Sequence, residues 1–275
     1  VAKQVRNLLR ANAHDGRFRL AEVDPDSTPG LKKKKRASQD FAKQKAKLFG
    51  LQERLYAEHK RAILLVLQGM DTSGKDGTIT HVIGNLNPQA VEITPFKQPT
   101  PEEKRHSFLW RIRKRLPPEG NIGIFNRSHY EDVLIVRVHG LAPLKVIEQR
   151  YGLINRFEKQ VTAQRIKIVK ICLHISYEEQ RNRLIERLKD PDKQWKFSEH
   201  DIDERAYWDD YQSAYSIAIT NCSTNYAPWY VVPANDKDYR DWAVNRILIE
   251  TLEEMNPQYP HPKLDIPRLM KRLRA

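Results

Sequence analysis

Cysteine is almost missing from this chain, and its scarcity removes two classes of protein at once. Cys172 and Cys222 are the only two among 275 residues. They lack metal-ligand spacing and cannot make a disulfide framework, so a reduced, cytoplasmic setting is the expectation. Missing too is any apolar run near the ~20 residues that cross a bilayer, and no signal peptide opens the chain. Acidic residues are in deficit: 35 Asp and Glu face 48 Lys and Arg, giving a net charge of +13 and a pI near 9.6. Such an excess concentrates polyanions around a protein. Nucleic acid, an anionic membrane and polyphosphate all satisfy it, and charge alone does not choose among them. No linker divides the middle of the chain, whose length suits one large α/β domain with a sizeable core.

What is present alternates. Residues 1–40 read as a basic N-terminal arm, punctuated by Pro25 and Pro29 and carrying the run Lys32-Lys33-Lys34-Lys35-Arg36, which is as readily a solvated surface as an anion patch. Apolar residues at helical spacing (Phe41, Leu48, Leu51, Leu55) predict a helix over 38–60. Strands are predicted at 62–67, 91–94, 121–125, 166–173 and 229–232, with helices at 101–115, 143–163, 177–189, 211–222 and 238–254 between and after them. Strands alternating with helices imply a parallel sheet covered on both faces. Ligands of such sheets bind beyond the carboxyl ends of the strands. The expected organisation is therefore a core over 41–255, including a lid at about 187–211, and a tail over 256–275.

Between the first strand and its helix lies Gly69-Met70-Asp71-Thr72-Ser73-Gly74-Lys75-Asp76, which matches G-x-x-x-x-G-K. Backbone N–H groups of such a loop wrap a phosphate and the lysine neutralises it. Gly69, Thr72, Ser73, Gly74, Lys75, Asp76 and Gly77 are the candidate phosphate-binding residues. The position after the lysine is normally Ser or Thr, whose hydroxyl binds the magnesium of a nucleoside triphosphate; here it is Asp76. With Asp71 inside the loop, a second carboxylate faces the phosphate. Two carboxylates in such a cradle repel the ligand unless a metal or a reacting group compensates them. The pattern favours a magnesium site, with manganese as the substitute.

The third strand runs into Asn126-Arg127-Ser128-His129-Tyr130-Glu131-Asp132. Arg127 is positioned to clamp phosphate oxygens. Asp132 and Glu131 are candidate magnesium ligands, or else caps of the following helix. His129 reads as a packing or hydrogen-bonding residue. Further on, Arg183, Arg187, Lys193 and Lys196 cluster around Asp190-Pro191, where a P-loop kinase carries its lid. Four nearby aromatics (Trp195, Phe197, Tyr207, Trp208) argue that this stretch packs on something.

The segments GMDTSGKDGT, FNRSHYEDV and DPDKQWKFSEHD, in that order, resemble the polyphosphate kinase 2 family over most of residues 40–255. The FNRSHYED form is similar to the subgroup that accepts both AMP and ADP. The resemblance implies a three-layer P-loop kinase fold with a five-stranded parallel sheet and a helical lid. It implies magnesium-dependent transfer of a terminal phosphoryl group between inorganic polyphosphate and nucleoside mono- or diphosphates. Asp71, Lys75, Asn126 and Arg127 would be catalytic, and Arg127 with the lid cations would line the polyphosphate path. Relatives restricted to diphosphates carry Asp where this chain has Asn126, which leaves open whether Asp132 takes over the metal. Neither nucleic acid nor a membrane is then an expected partner, and a homo-oligomer, dimer or tetramer, is the expected assembly. Two rivals remain: an ATP-dependent nucleotide kinase of the thymidylate-kinase kind, and a nonenzymatic polyanion-binding protein.

Overall fold

The computed structural model describes residues 4–12, 16–31 and 37–274; the basic run Lys32–Arg36 lies outside the described residues. In chain order the main elements are Val5–Leu9 (α1), Ala37–Glu58 (α2), Ala62–Gln68 (β1), Lys75–His81 (α3), Val91–Pro95 (β2), Trp110–Arg113 (α4), Ile122–Asn126 (β3) and Ile135–Val138 (α5). Leu144–Ala163 (α6), Ile166–His174 (β4), Tyr177–Lys189 (α7), His200–Asp203 (α8), Trp208–Cys222 (α9), Trp229–Pro233 (β5), Lys237–Met255 (α10) and Ile266–Arg274 (α11) follow.

The five strands form one parallel sheet in the order β2-β3-β1-β4-β5. Because side chains alternate across a strand, β1 feeds two cores at once. Ile63, Leu65 and Leu67 join α1, α2 and α10 on one face, while Ala62, Leu64 and Val66 join α6 and α9 on the other. This is the expected three-layer α/β architecture. Burial on both faces explains why β1 is a continuous apolar run instead of an alternating one.

The two sheet edges differ. At β2, Ile93 and Glu92 are exposed. At β5 every residue is buried, because the chain's beginning covers that edge: Arg10 bridges Tyr230 antiparallel, and Ala11 N–H donates to the Trp229 carbonyl at 2.9 Å. Val5 and Leu9 reach one core cluster, Ala11 and Leu20 the other.

Where a helix is expected over 101–115, two short pieces stand instead: a 3-10 turn at Glu103–Arg105 and α4. Thr100 and Glu103 cap the first reciprocally, Thr100 N–H to Glu103 Oε2 at 2.9 Å and Glu103 N–H to Thr100 Oγ1 at 3.2 Å. Residues 102–107 are without apolar side chains to bury, so a helix started there has no face to pack and stops at His106. Helix α11, in contrast, forms where only a tail is expected, and all its described residues are exposed.

Candidate active site

Register decides which loops meet. β1 pairs with β3 so that Leu67 lies opposite Asn126. The loop after β1 therefore emerges beside the turn after β3, at the carboxyl edge of the sheet where the chain diverges to either side. Two hydrogen-bonded contacts join the motifs there. Arg127 Nη2 lies 3.0 Å from Asp71 Oδ1, and Asn126 Nδ2 donates to Asp76 Oδ1 at 2.9 Å.

Both turns are wound through left-handed backbone. Gly74 has φ +105°, and Thr72 (+61°) and Arg127 (+64°) adopt it without being glycine. A non-glycine residue held there costs ~1–3 kcal/mol and persists only when its surroundings impose it. Arg127 is fixed by its N–H donating to the Leu67 carbonyl at 3.1 Å. Beyond it, Ser128 caps the His129–Asp132 turn by accepting from Tyr130 N–H, and neither Glu131 nor Asp132 is the capping residue.

A cleft of about 800 Å3 opens over these turns. Its walls bring together the predicted Asp71, Thr72, Gly74, Lys75, Asp76, Gly77, Asn126, Arg127, Arg183, Arg187, Lys193 and Lys196. Lys75 Nζ donates to the carbonyls of Gly69 (2.6 Å) and Met70 (3.2 Å). Burial pulls the Lys75 ammonium below the ordinary lysine pKa, against the pull of Asp71. Burial likewise disfavours charge on Arg127, but Glu131 and Asp71 outweigh it and raise its pKa. Burial raises the pKa of Glu131, opposed by the nearby charges of Arg127 and Lys75. Glu131 is not among the residues that line the cleft.

Asp132 is not brought to the cleft. Its side chain faces Arg150, with Oδ1 3.6 Å from Nη1, while its carbonyl accepts from the same Nη1 at 2.7 Å. Ser73 is fully buried. Arg183 borders the cleft, yet its guanidinium is taken up by protein. Nε donates to Glu179 (2.7 Å), Nη1 to the Thr72 carbonyl (3.0 Å), and Nη2 to the carbonyls of Ala234 (2.6 Å) and Asn235 (2.9 Å). Arg187 contacts Asp201 and the Lys196 carbonyl. Of the four lid aromatics, Tyr207 packs on His139 and Trp208 on Tyr177, but Trp195 is 77% exposed over the cleft.

Lys97, Gln98, His81, Lys237 and Arg240 also line the cleft and escaped the motif reading. Lys97 and Lys237 could have been found, since each follows the carboxyl end of a strand. His81 and Arg240 lie within helices and give no such signal.

The donor chemistry suits a hard cation. Among the described residues no group of three or more His, Cys, Asp or Glu is gathered to hold a metal ion. Magnesium needs less from protein: one or two carboxylates, with phosphate oxygens and water completing its shell. Asp71 and Asp76 each commit Oδ1 to a neighbour, and among the described residues Oδ2 of each accepts no hydrogen bond. The buried hydroxyls of Thr72, Ser73 and Thr78 also have no hydrogen-bond partner among the described residues.

Comparison with known proteins agrees with this geometry. The family model for polyphosphate kinase 2 matches residues 31–260. An AMP/ADP-polyphosphate phosphotransferase of Meiothermus ruber is 48% identical over 250 residues, covering 90% of this chain and 94% of its own. An ADP-polyphosphate phosphotransferase of Rhodopseudomonas palustris is 42% identical over 226 residues, 78% of each chain. The crystal structure of polyphosphate kinase 2 from Arthrobacter aurescens superposes with a TM-score of 0.95 at 48% identity, over 99% of this chain and 97% of that one. The chain belongs to the polyphosphate kinase 2 family.

Proposed function

We propose that this protein transfers the terminal phosphoryl group between inorganic polyphosphate and a nucleoside mono- or diphosphate, with AMP and ADP as acceptors and magnesium, or manganese in its place, as the required ion. The observation that carries the reading is the cleft's composition. Lys75, Arg127, Arg187, Lys193 and Lys196 surround a phosphate loop that holds two carboxylates. Phosphoryl transfer asks a protein for positioning and charge neutralisation more than for covalent chemistry. Lys75 and Arg127 hold the transferring group from two sides. Asp71 orients Arg127 through their ion pair, and Asn126 does the same for Asp76. The exposed Lys193 and Lys196 carry the polymer beyond the reacting end. Asp71 and Asp76 would hold the metal, with Glu131 as a further nearby carboxylate; the ion, when bound, neutralises phosphate oxygens that the carboxylates would otherwise repel. The acceptor assignment is supported by the name of the Meiothermus ruber relative. An ATP-dependent nucleotide kinase is disfavoured because Asp76, bonded to Asn126, stands where that chemistry needs a hydroxyl.

The test pairs donors with acceptors. Purified protein with polyphosphate and magnesium should convert AMP to ADP and ADP to ATP, and excess chelator should stop both. Lys75→Ala should lower turnover by ~10²–10³ without loss of fold. Phosphorylation of AMP from ATP but not from polyphosphate would overturn the reading.

A further inference from the structure

Arg240 is 3% exposed, lies in the first turn of α10, and belongs to no motif of the sequence. One edge of its guanidinium is locked: Nε and Nη2 meet Asp241 Oδ1 at 2.8 and 2.7 Å. Asp241 is itself held from the other side, since its Oδ2 lies 2.8 Å from His81 Nδ1. The remaining nitrogen, Nη1, has no hydrogen-bonding partner among the described residues and lies against the phosphate loop. A Cβ on Gly74 would fall 2.1 Å from Nη1, and one on Gly77 would fall 3.0 Å from Nη2. Gly74 needs glycine for its backbone in any case. Gly77 does not: it lies inside α3, where glycine weakens a helix, and the guanidinium against it leaves little room for a Cβ. Arg183 is close enough for Arg240 to depress its pKa further, after burial has done most of the work. Two guanidinium groups gathered under a phosphate loop, one of them with an open edge in the cleft wall, form a site for an anion.

We propose that Arg240 is a further phosphate-binding residue of this cleft, aimed by Asp241 and His81 and admitted by Gly77. The inference rests on the phosphotransferase reading above. Its ligand is a phosphate group, supplied either by the polyphosphate chain or by the nucleotide, and the two sources are separable. Wild type, Arg240→Ala, Arg240→Lys and Gly77→Ala would be compared by KM and kcat for polyphosphate at saturating nucleotide, and for nucleotide at saturating polyphosphate. Calorimetric Kd for tripolyphosphate and melting temperature would be measured alongside.

Arg240→Ala should raise one of the two KM values roughly ten- to a hundredfold, with a smaller change in kcat. The KM that moves identifies the source of the phosphate. Lysine should restore little, because it lacks the planar fork, whereas free guanidinium should partly rescue the alanine variant. Gly77→Ala leaves every charge in place and favours the helix, so it should melt no lower than wild type. It should still raise the same KM several-fold by displacing the guanidinium. Unchanged KM and Kd in folded Arg240→Ala and Gly77→Ala would overturn the proposal. If wild type itself fails to use polyphosphate, the functional reading falls instead. Tripolyphosphate affinity then decides for or against Arg240 alone.

Discussion

Lys170 sits between Ile168 and Cys172 on the core-facing side of β4, fully buried, in a position where the strand pattern alone suggests a hydrophobe. Its ammonium is completely engaged: Glu158 Oε2 at 2.5 Å, Tyr130 Oη at 2.8 Å and the Cys222 carbonyl at 2.7 Å. Glu158 also receives Tyr130 Oη at 2.8 Å and His129 at 3.3 Å. Burial opposes ionisation of Glu158, but Lys170 and His129 outweigh it and hold its pKa below the usual value. The network anchors the residues that follow Arg127 in sequence. Removing one partner of such a pair leaves a buried charge alone, so Lys170→Met should cost about 3–5 kcal/mol. Lys170→Met combined with Glu158→Leu should recover much of that in denaturant titrations. Equal losses for the single and double variants would show that the pair is not coupled.

His174, at the end of β4, gives the residue scale a pH dependence. Burial pushes its pKa from 6.5 to about 4, though a hydrogen bond with the Val23 carbonyl opposes the shift. Between those values the unfolded chain binds a proton that the folded one refuses. Stability is therefore whole above pH 6.5 and declines as pH falls toward 4, by about 3 kcal/mol in all. His174→Gln, which keeps a donor for Val23 without titrating, should show a shallower loss between pH 7 and 4.5. Parallel pH–stability curves for the two proteins would contradict this.

At the scale of elements, α7 and the segment after it divide work that sequence lumps together. Arg183 stitches α7 to the phosphate loop and to the end of β5, through Thr72, Ala234 and Asn235. Its loss should lower stability by about 2 kcal/mol or more and reduce kcat by loosening the loop. Lys193 and Lys196 are exposed, so Lys193→Ala with Lys196→Ala should leave the melting temperature unchanged. That pair should raise the KM for long polyphosphate several-fold and spare tripolyphosphate. If Arg183→Ala instead melts like wild type and changes only the polymer KM, the division is wrong. The same scale explains the break at residues 102–107, where capping residues start a turn but no apolar face sustains a helix.

For the whole molecule, the net charge of +13 acts as a field over the surface. Polyanion binding by exposed cations weakens as salt rises, because screening grows and fewer counterions are released. The KM for long polyphosphate should climb steeply between ~50 and ~200 mM salt, a range over which the Debye radius shrinks from about 14 to 7 Å. It should climb less for tripolyphosphate, which spans fewer cations. A flat salt profile for both chain lengths would place the binding energy in the inner cleft alone. No helix among the described residues is long and apolar enough to cross a membrane.

Sequence by itself determined the five strands and the phosphate loop, because both are written locally. A buried parallel strand must be an apolar run, and a loop that wraps phosphate must carry glycine and lysine at fixed spacing. It also selected most of the residues that line the cleft, since ligands lie past strand ends. Tertiary structure alone decided how those residues are used. Asp71 meets Arg127 across 56 positions and Asp76 meets Asn126 across 50, through a β1–β3 register that no local pattern contains. Adjacent carboxylates part company for the same reason: the tight turn after Ser128 leaves Glu131 near Arg127 and Lys75 and sends Asp132 toward Arg150 on α6. Arg240 comes from a helix 165 positions beyond Lys75, and only the folding of α10 against α3 brings it to Gly74 and Gly77. Hydrophobic periodicity records which face of an element is buried, but a buried cation's partner is chosen by the packing of elements far apart in the chain.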